Sequence, residues 1–273
     1  MLVLAAHHIS IRIAWVFKTE SVIMPAFMDH IAGAGWLRGF LPVLNRVGQS
    51  LPPLLLAERL KNTRRKKWTL FFAPLMMSIP FLALSAIWLS LDEKGQWWLP
   101  IVFLVLYFFF FCMSGIHQLA FGTLQGKLIR ADRRGQLLSI CGVVGSILSV
   151  TCLWLLLQGW LEQDDGGFGL IFGFAGVGFF VSGLFVLFLV EPQDDSSPTR
   201  WTVFEHFQDA WRIFRHDSRF RRVAVVAMCF SPVILLFPHY QALGRRGASI
   251  QTTAFDIMLW VIAQNIAVGV YSF

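Results

Sequence analysis

The sequence predicts an all-α integral membrane protein with about eight transmembrane helices. Of its 273 residues, 56% are hydrophobic and only 14% are charged, whereas a soluble domain carries roughly a quarter charged residues. The apolar residues, which include 27 Phe and 11 Trp, occur in runs of about 20, the length that a helix needs to cross a hydrocarbon core about 30 Å thick. The basic residues behind the net charge of +7 lie mainly between these runs. This distribution indicates a membrane topology and argues against nucleic-acid binding.

Eight apolar runs are candidate spans. They are residues 8–30, 37–57, 68–90, 98–121, 137–161, 168–190, 223–243 and 251–273. The third to the sixth are the most continuous, and the sixth contains no charged residue. The first is the least continuous, because Lys18, Glu20 and Asp29 interrupt it.

The basic residues predict the orientation of the spans. Sixteen of them fall in the connections after spans two, four and six, and four fall in the odd-numbered connections. Because basic loops stay in the cytoplasm, the even-numbered connections and the N-terminus are expected on the cytoplasmic side. The predicted location is therefore the cell inner (cytoplasmic) membrane, with the chain crossing it several times.

The longest connection runs from Glu191 to Arg222. It begins with EPQDDSSPT, a composition typical of disorder. Aromatic residues then recur at helical spacing, at Phe204, Phe207, Trp211 and Phe214. Thr202 and Glu205 fit a capping box. We interpret this segment as an amphipathic helix on the cytoplasmic membrane surface, although a helix packed against the protein's own cytoplasmic loops fits the same pattern.

Three stretches resemble the major facilitator superfamily of transporters. The connection LLLAERLKNTRRKKWTL is similar to its loop motif, in which an acidic residue at a helix end precedes a basic cluster. LIRADRRGQLLS is similar to its basic turn, and FLVEPQDD to its usual exit from span six. The matching residues, which we expect to form a gating loop, are Glu58, Arg59, Arg64, Arg65, Arg133, Arg134 and Gly135. The segment from Val22 to Leu60 more narrowly resembles an uncharacterised bacterial branch.

The loop motif departs from the family at two positions. Glu58 stands where Asp is usual, and Asn62 lies near the position of an expected turn glycine. A carboxylate beside six cations can lock a neighbouring helix through charge-assisted hydrogen bonds and release it during rocking. A basic cluster that only anchors the loop at the membrane surface is the alternative.

Polar residues inside the spans each cost several kcal/mol in a bilayer and therefore need a partner or a function. The candidates for substrate binding or proton coupling are Lys18, Glu20, Asp29, Arg46, His117, Gln118, His239 and Asp256. The resemblance implies that the first and fourth helices of each half line a central cavity. On a straight helix Glu20 points away from Lys18, so both face one cavity only if the helix is broken, which Pro25 would allow. Pairing of Lys18 or Arg46 with Glu20 or Asp29 is the alternative.

A complete member of the superfamily has two six-helix halves with the site between them. The resemblance thus implies an MFS-like six-helix N-terminal domain (1–190), a cytoplasmic linker (191–222) and the first two helices of an incomplete second domain (223–273). A truncated chain, which we favour, a split transporter and a degenerate protein are the three explanations. We expect the 273-residue chain by itself to show no saturable uptake in liposomes.

The expected function is secondary active transport of an unidentified small solute by alternating access, with proton coupling as one option. The expected partners are the lipid bilayer, the solute, and a missing C-terminal half or a second copy. A non-transporting membrane scaffold or sensor is the alternative. No HExxH or GxSxG motif occurs and the four cysteines have no metal-site spacing, so we expect no enzyme activity, no cofactor and no metal.

Overall fold

The computed structural model describes residues 1–32, 35–163, 166–193, 203–236, 239 and 254–270. Within these ranges the chain is helical and contains no strand. The helices are α1 (Leu2–Val16), α2 (Ile23–Ala32), α3 (Phe40–Asn62), α4 (Lys67–Ser90), α5 (Leu99–Leu128), α6 (Ala131–Cys152), α7 (Phe168–Phe185), α8 (Val203–His216), α9 (Ser218–Leu235) and α10 (Ala254–Val270). A π turn, Leu153–Leu157, and a last turn, Gln158–Leu161, extend α6, and a 3₁₀ turn, Val186–Phe188, extends α7.

The prediction of one continuous span over 8–30 is wrong. Helix α1 begins at Leu2 and ends at Val16, and α2 begins at Ile23. The break therefore precedes Pro25, which lies in the first turn of α2, where proline is tolerated. The Thr19 hydroxyl accepts a hydrogen bond from the backbone N–H of Ile23 at 3.3 Å and closes the start of α2.

The fourth and fifth spans are longer than predicted. Helix α5 continues to Leu128 rather than 121, and α6 begins at Ala131 rather than 137. The 30 residues of α5 measure about 45 Å at 1.5 Å per residue, well beyond a hydrocarbon core of about 30 Å. The expectation that Arg133, Arg134 and Gly135 form a turn is wrong, because they belong to the first turns of α6.

Arg134 connects the two long helices. Its Nε donates to the carbonyl of Ile129 at 2.9 Å, and its Nη2 donates to the carbonyl of Gly126 at 2.7 Å. These are carbonyls at the end of α5 that lack a helical partner. A cation at a helix C-terminus also interacts favourably with the helix dipole.

Four helices are long and apolar enough to cross a membrane: Lys67–Ser90, Leu99–Leu128, Ala131–Leu161 and Phe168–Phe188. Apolar side chains on them face outward, for example Val105, which is 62% exposed, and Ile147 and Leu155. A surface of this kind needs lipid rather than water. The all-helical fold is therefore consistent with a membrane protein, and the full count of eight spans stays a prediction.

The helices form a layered bundle. Helix α4 packs between α5 and α7, α3 packs on α5, α1 lies between α6 and α7, and α10 packs on α6. Glycine allows the α3–α5 approach, because a Cβ at Gly115 would lie 2.6 Å from the backbone oxygen of Gln49. Small residues at such crossings are typical of membrane helices.

Two buried clusters define the two ends of the bundle. At one end Phe27 of α2 is the centre of an aromatic group, with its ring centroid 4.8–5.1 Å from those of Trp88, Phe103, Phe168 and Phe172. At the other end the start of α1 packs with residues near connections two, four and six. These residues are Leu60, Leu70, Leu124, Ile129 and Leu189, around Leu4. The N-terminus and the basic connections thus lie at one end, as the charge pattern predicts; which side of a membrane this is stays a prediction.

The predicted linker helix is present as α8, although Thr202 of its proposed capping box lies outside the described residues. Trp211 stacks on Phe214 with centroids 5.7 Å apart and is 59% exposed. Asp217 then starts α9, because its Oδ1 accepts the backbone N–H groups of Arg219 and Phe220 at 2.8 and 3.2 Å. The helix of the seventh predicted span, α9, therefore begins at Ser218, five residues before the predicted residue 223.

Candidate functional site

A cavity of about 500 Å³ lies between α1, α5 and α10, and we call it the α1–α5 cavity. Its apolar wall consists of Ile11, Trp15 and Val16. Its polar lining residues are His8, Arg12, Thr19, Glu20, Ser21, Ser114, His117, Gln118, Gln264 and Asn265. The volume falls in the range of small-molecule sites, roughly 300–1,000 Å³.

Helical spacing places these side chains together. On α1, His8, Arg12 and Trp15 follow one another at intervals of four and three residues, so they share one face. On α5, Ser114, His117 and Gln118 are related in the same way. Across the cavity, the Ser21 hydroxyl donates to Gln264 Oε1 at 2.8 Å and connects the first helices to α10.

Two histidines form a buried pair beside the cavity. His7 Nδ1 lies 2.8 Å from the carbonyl oxygen of Ser182, which can only accept, so Nδ1 carries the proton. In a neutral His7 ring Nε2 is then the acceptor, and His117 Nε2, 3.0 Å away, is the donor. Neutral His117 therefore has no proton on Nδ1. Phe121 stacks on both rings, with centroids 6.1 Å apart in each case.

A buried lysine contacts two residues of the cavity lining, Glu20 and Trp15. Lys18 is fully buried, and its Nζ is 2.8 Å from Glu20 Oε1. The same ammonium group is 3.3 Å from the centroid of the Trp15 ring and 4.4 Å from that of Phe111. Asn45 donates to the other carboxylate oxygen of Glu20. Because the chain breaks after α1, Lys18 and Glu20 meet, as the pairing alternative predicts.

Arg12 has a different environment. Its Nη2 donates to the Ser146 hydroxyl at 2.8 Å, and its aliphatic part lies over Gly145, where a Cβ would come within 2.6 Å of Arg12 Cδ. No carboxylate of the described ranges forms an ion pair with it. A cation without a counter-ion is costly where it is removed from water, which makes Arg12 a candidate for a function.

Three buried polar atoms of the lining have no hydrogen-bond partner in the described structure: His8 Nδ1, Arg12 Nε and Ser114 Oγ. Ser114 itself is fully buried. Most buried polar groups in proteins are paired, and an exception needs an explanation. These three atoms add unpaired polar groups to the wall of the cavity, and five further atoms of this kind lie elsewhere in the described structure.

The structure brings together some of the predicted site residues and separates others. Glu20, His117 and Gln118 line the cavity, and Lys18 lies directly behind it. Asp29 instead pairs with Arg38. Arg46, which is exposed on α3, His239 and Asp256 are not among the lining residues.

Sequence reasoning missed Arg12, His8 and His7. All three lie on α1, before the charged residues Lys18, Glu20 and Asp29 that the sequence suggested as candidates. The repeat of His8, Arg12 and Trp15 at helical spacing is the signal that identifies this face. The partner of His7 lies 110 residues away, and no local pattern indicates it.

A second polar site joins the basic connections at one end of the bundle. The Glu191 carboxylate is buried and accepts the backbone N–H groups of Lys66 and Lys67 at 3.1 and 2.7 Å, and the Lys127 ammonium at 2.8 Å. Lys127 also donates to the carbonyl of Pro192 at 2.6 Å. We call Glu191, Lys127 and these two N–H groups the Glu191 cluster.

The residues of the predicted gating loop do not form this cluster, as far as the structure describes them. Glu58 and Arg59 belong to the last turns of α3, but their side chains lie outside the described part of the structure. Arg64 and Arg65 are exposed in the connection to α4. The buried acidic residue at this end, among those described, is Glu191 of the FLVEPQDD stretch.

No group of three or more His, Cys, Asp or Glu side chains in the described ranges could hold a metal ion. No protein-family model, curated protein or solved structure matches this chain.

Proposed function

We propose that this chain belongs to a solute transporter of the inner membrane that works by alternating access, as the members of the superfamily it resembles do. The solute site is the α1–α5 cavity. The even-numbered connections face the cytoplasm, and their basic residues take part in gating.

The α1–α5 cavity is the observation that carries this proposal. It lies inside the helical bundle, and its polar groups come from the first helix, from α5 and from α10. The Ser21 hydroxyl donates to Gln264 between the two parts of the wall, while α10 packs on α6 at the side of the cavity. A hydrogen bond of this kind can break at small cost when α10 moves relative to the first two helices.

The Glu191 cluster supports the same mechanism. It ties the ends of α5 and α7 to the start of α4 through one carboxylate. These helices can then move as one rigid body together with α1, which packs on α7, whereas α10 faces α1 across the cavity. Rigid-body rocking of one bundle against another is the motion that alternating access needs.

Access to the cavity from each side of the membrane tests the proposal. Gln118→Cys places a thiol on an exposed cavity residue, and Val105→Cys places one on the outward face of the same helix. We expect an impermeant thiol reagent to label Gln118→Cys in both right-side-out and inside-out vesicles of the native membrane. Val105→Cys, which faces lipid, should stay near the background of the unsubstituted chain.

Labelling of Gln118→Cys from one side only, in every condition, would contradict alternating access. That result would favour the scaffold or sensor interpretation, since a sensor needs to open its site to one compartment.

A further inference from the structure

Arg12 determines the charge of the α1–α5 cavity. Glu20 also lines it, but Lys18 neutralises this carboxylate at 2.8 Å. The described lining with neutral histidines therefore carries a net charge of +1, contributed by the guanidinium of Arg12. Because a bilayer-embedded bundle has a low effective dielectric constant, an uncompensated cation there attracts anions strongly.

The groups near Arg12 also suit an anion. Arginine presents a planar array of donors that matches a carboxylate, and one of its amino groups is already held by Ser146. His8 lies one turn before Arg12 on the same helix, and Ser114 of α5 also lines the cavity. Each has a polar atom that is buried without a partner and closed to water, so the guanidinium of Arg12 is the group that a bound anion would contact.

The rest of the lining limits the kind of anion. Ile11, Trp15 and Val16 form an apolar wall next to Arg12. A fully hydrated inorganic ion would lose its hydration on this wall without compensation. A carboxylate with an apolar body would place its charge on Arg12 and its body on Trp15 and Ile11.

We propose that the α1–α5 cavity binds a small organic monocarboxylate, whose carboxylate pairs with Arg12 and whose apolar body lies against Trp15. The inference rests on the proposed function in one respect: it takes the α1–α5 cavity as the solute site.

Benzoate and its neutral isostere benzamide test the charge requirement on the purified chain in detergent micelles. Equilibrium dialysis should show saturable binding of benzoate and none of benzamide. Arg12→Gln should weaken benzoate binding at least about tenfold, because a charge-assisted hydrogen bond contributes roughly 1.5–3 kcal/mol. Equal binding of benzamide, equal binding of chloride or phosphate, or the absence of benzoate binding would overturn the proposal.

A designed counter-ion gives a test that needs no ligand. The Ser146 hydroxyl lies 2.8 Å from Arg12 Nη2, so Ser146→Asp puts a carboxylate beside the guanidinium, and Ser146→Asn is the control of equal size. We expect the aspartate variant to unfold at a higher temperature than the asparagine variant, and to lose benzoate binding. In an Arg12→Gln background this difference should disappear. An aspartate variant that unfolds below the asparagine variant would show that Arg12 has no need of an anion.

The failure of this proposal and that of the proposed function give different results. Benzoate binding together with labelling of Gln118→Cys from one side only would keep the ligand class and remove transport. Labelling from both sides without benzoate binding would keep transport and remove the monocarboxylate.

Discussion

The Glu191 cluster and the α1–α5 cavity use similar residues in opposite ways. In the cluster, one buried carboxylate receives three donors, two of which are backbone N–H groups at the start of α4. In the cavity, Arg12 donates a hydrogen bond to the Ser146 hydroxyl. His8 Nδ1 and Ser114 Oγ have no hydrogen-bond partner in the described structure. A buried charge whose partners are all present makes the fold more rigid. A buried charge with too few partners lowers stability unless a ligand supplies the missing partner. The first region is thus paired within the fold, whereas the second keeps a charge that the proposed ligand would complete.

Removal of Glu191 should have the largest effect on stability. Glu191→Ala removes the carboxylate from the Lys127 ammonium, which keeps the Pro192 carbonyl, and from two backbone N–H groups. Breaking a buried pair from one side costs about 3–5 kcal/mol. The free energy of unfolding in mixed micelles should fall by about this amount. A loss below about 1 kcal/mol would show that water replaces the carboxylate and that the cluster does not stabilise the bundle.

Substitution of His7 should have the next largest effect. His7→Leu removes two buried hydrogen bonds and leaves the Ser182 carbonyl and the His117 N–H unsatisfied, at a cost of about 2 kcal/mol. Denaturation of this variant in micelles measures the loss. The control is Ile13→Val, a substitution on the same helix away from the cavity lining, which should cost about 1 kcal/mol or less.

The same substitution in the two regions compares them directly. Lys127→Met should lower the free energy of unfolding by about 1.5 kcal/mol, because Glu191 loses a charged partner. Arg12→Met should leave it unchanged or raise it, because no carboxylate of the described structure depends on this cation. If both variants are destabilised equally, Arg12 has a structural partner and the contrast between the regions is wrong.

Ser114 should give the smallest effect. Its hydroxyl is buried without a partner, so Ser114→Ala removes an unsatisfied group and should change the free energy of unfolding by less than about 0.5 kcal/mol. Ser182→Ala is the matched control, since that buried hydroxyl donates to the Phe179 carbonyl at 2.6 Å and its loss should cost more. A larger loss for Ser114→Ala would assign this hydroxyl to the fold.

Predictions from apolar runs were most accurate where one run makes one helix. Helix α4 lies at Lys67–Ser90 against a predicted 68–90, and the helical region Phe168–Phe188 lies close to the predicted 168–190. The first span was wrong because the polar residues of the turn at residues 17–22, FKTESV, were interpreted as interruptions within one span, whereas they separate two helices. The ends of α5 and α6 were misplaced because polar helical turns beyond the hydrocarbon core resemble loops in composition.

Site residues were predictable to the extent that polarity inside an apolar run identifies them. Glu20, His117 and Gln118 were found in this way and meet at the cavity. Asp29 and Arg46 satisfied the same criterion and lie elsewhere, because polarity does not indicate which face of a helix turns inward. Arg12 was missed although it interrupts an apolar run in the same way.

Composition by itself determined that this chain is helical, apolar on its outside and basic at one end. The physical reason is local: a segment of about 20 apolar residues in lipid must satisfy its own backbone hydrogen bonds, and a helix is the way to do so within one segment. The tertiary structure alone decided the partners. His7 meets His117, Glu191 meets Lys66 and Lys67, and Arg12 meets no carboxylate of the described residues, across separations of up to 125 positions. Such pairings depend on which helix faces the bundle brings together, and this is a property of packing that no single segment contains.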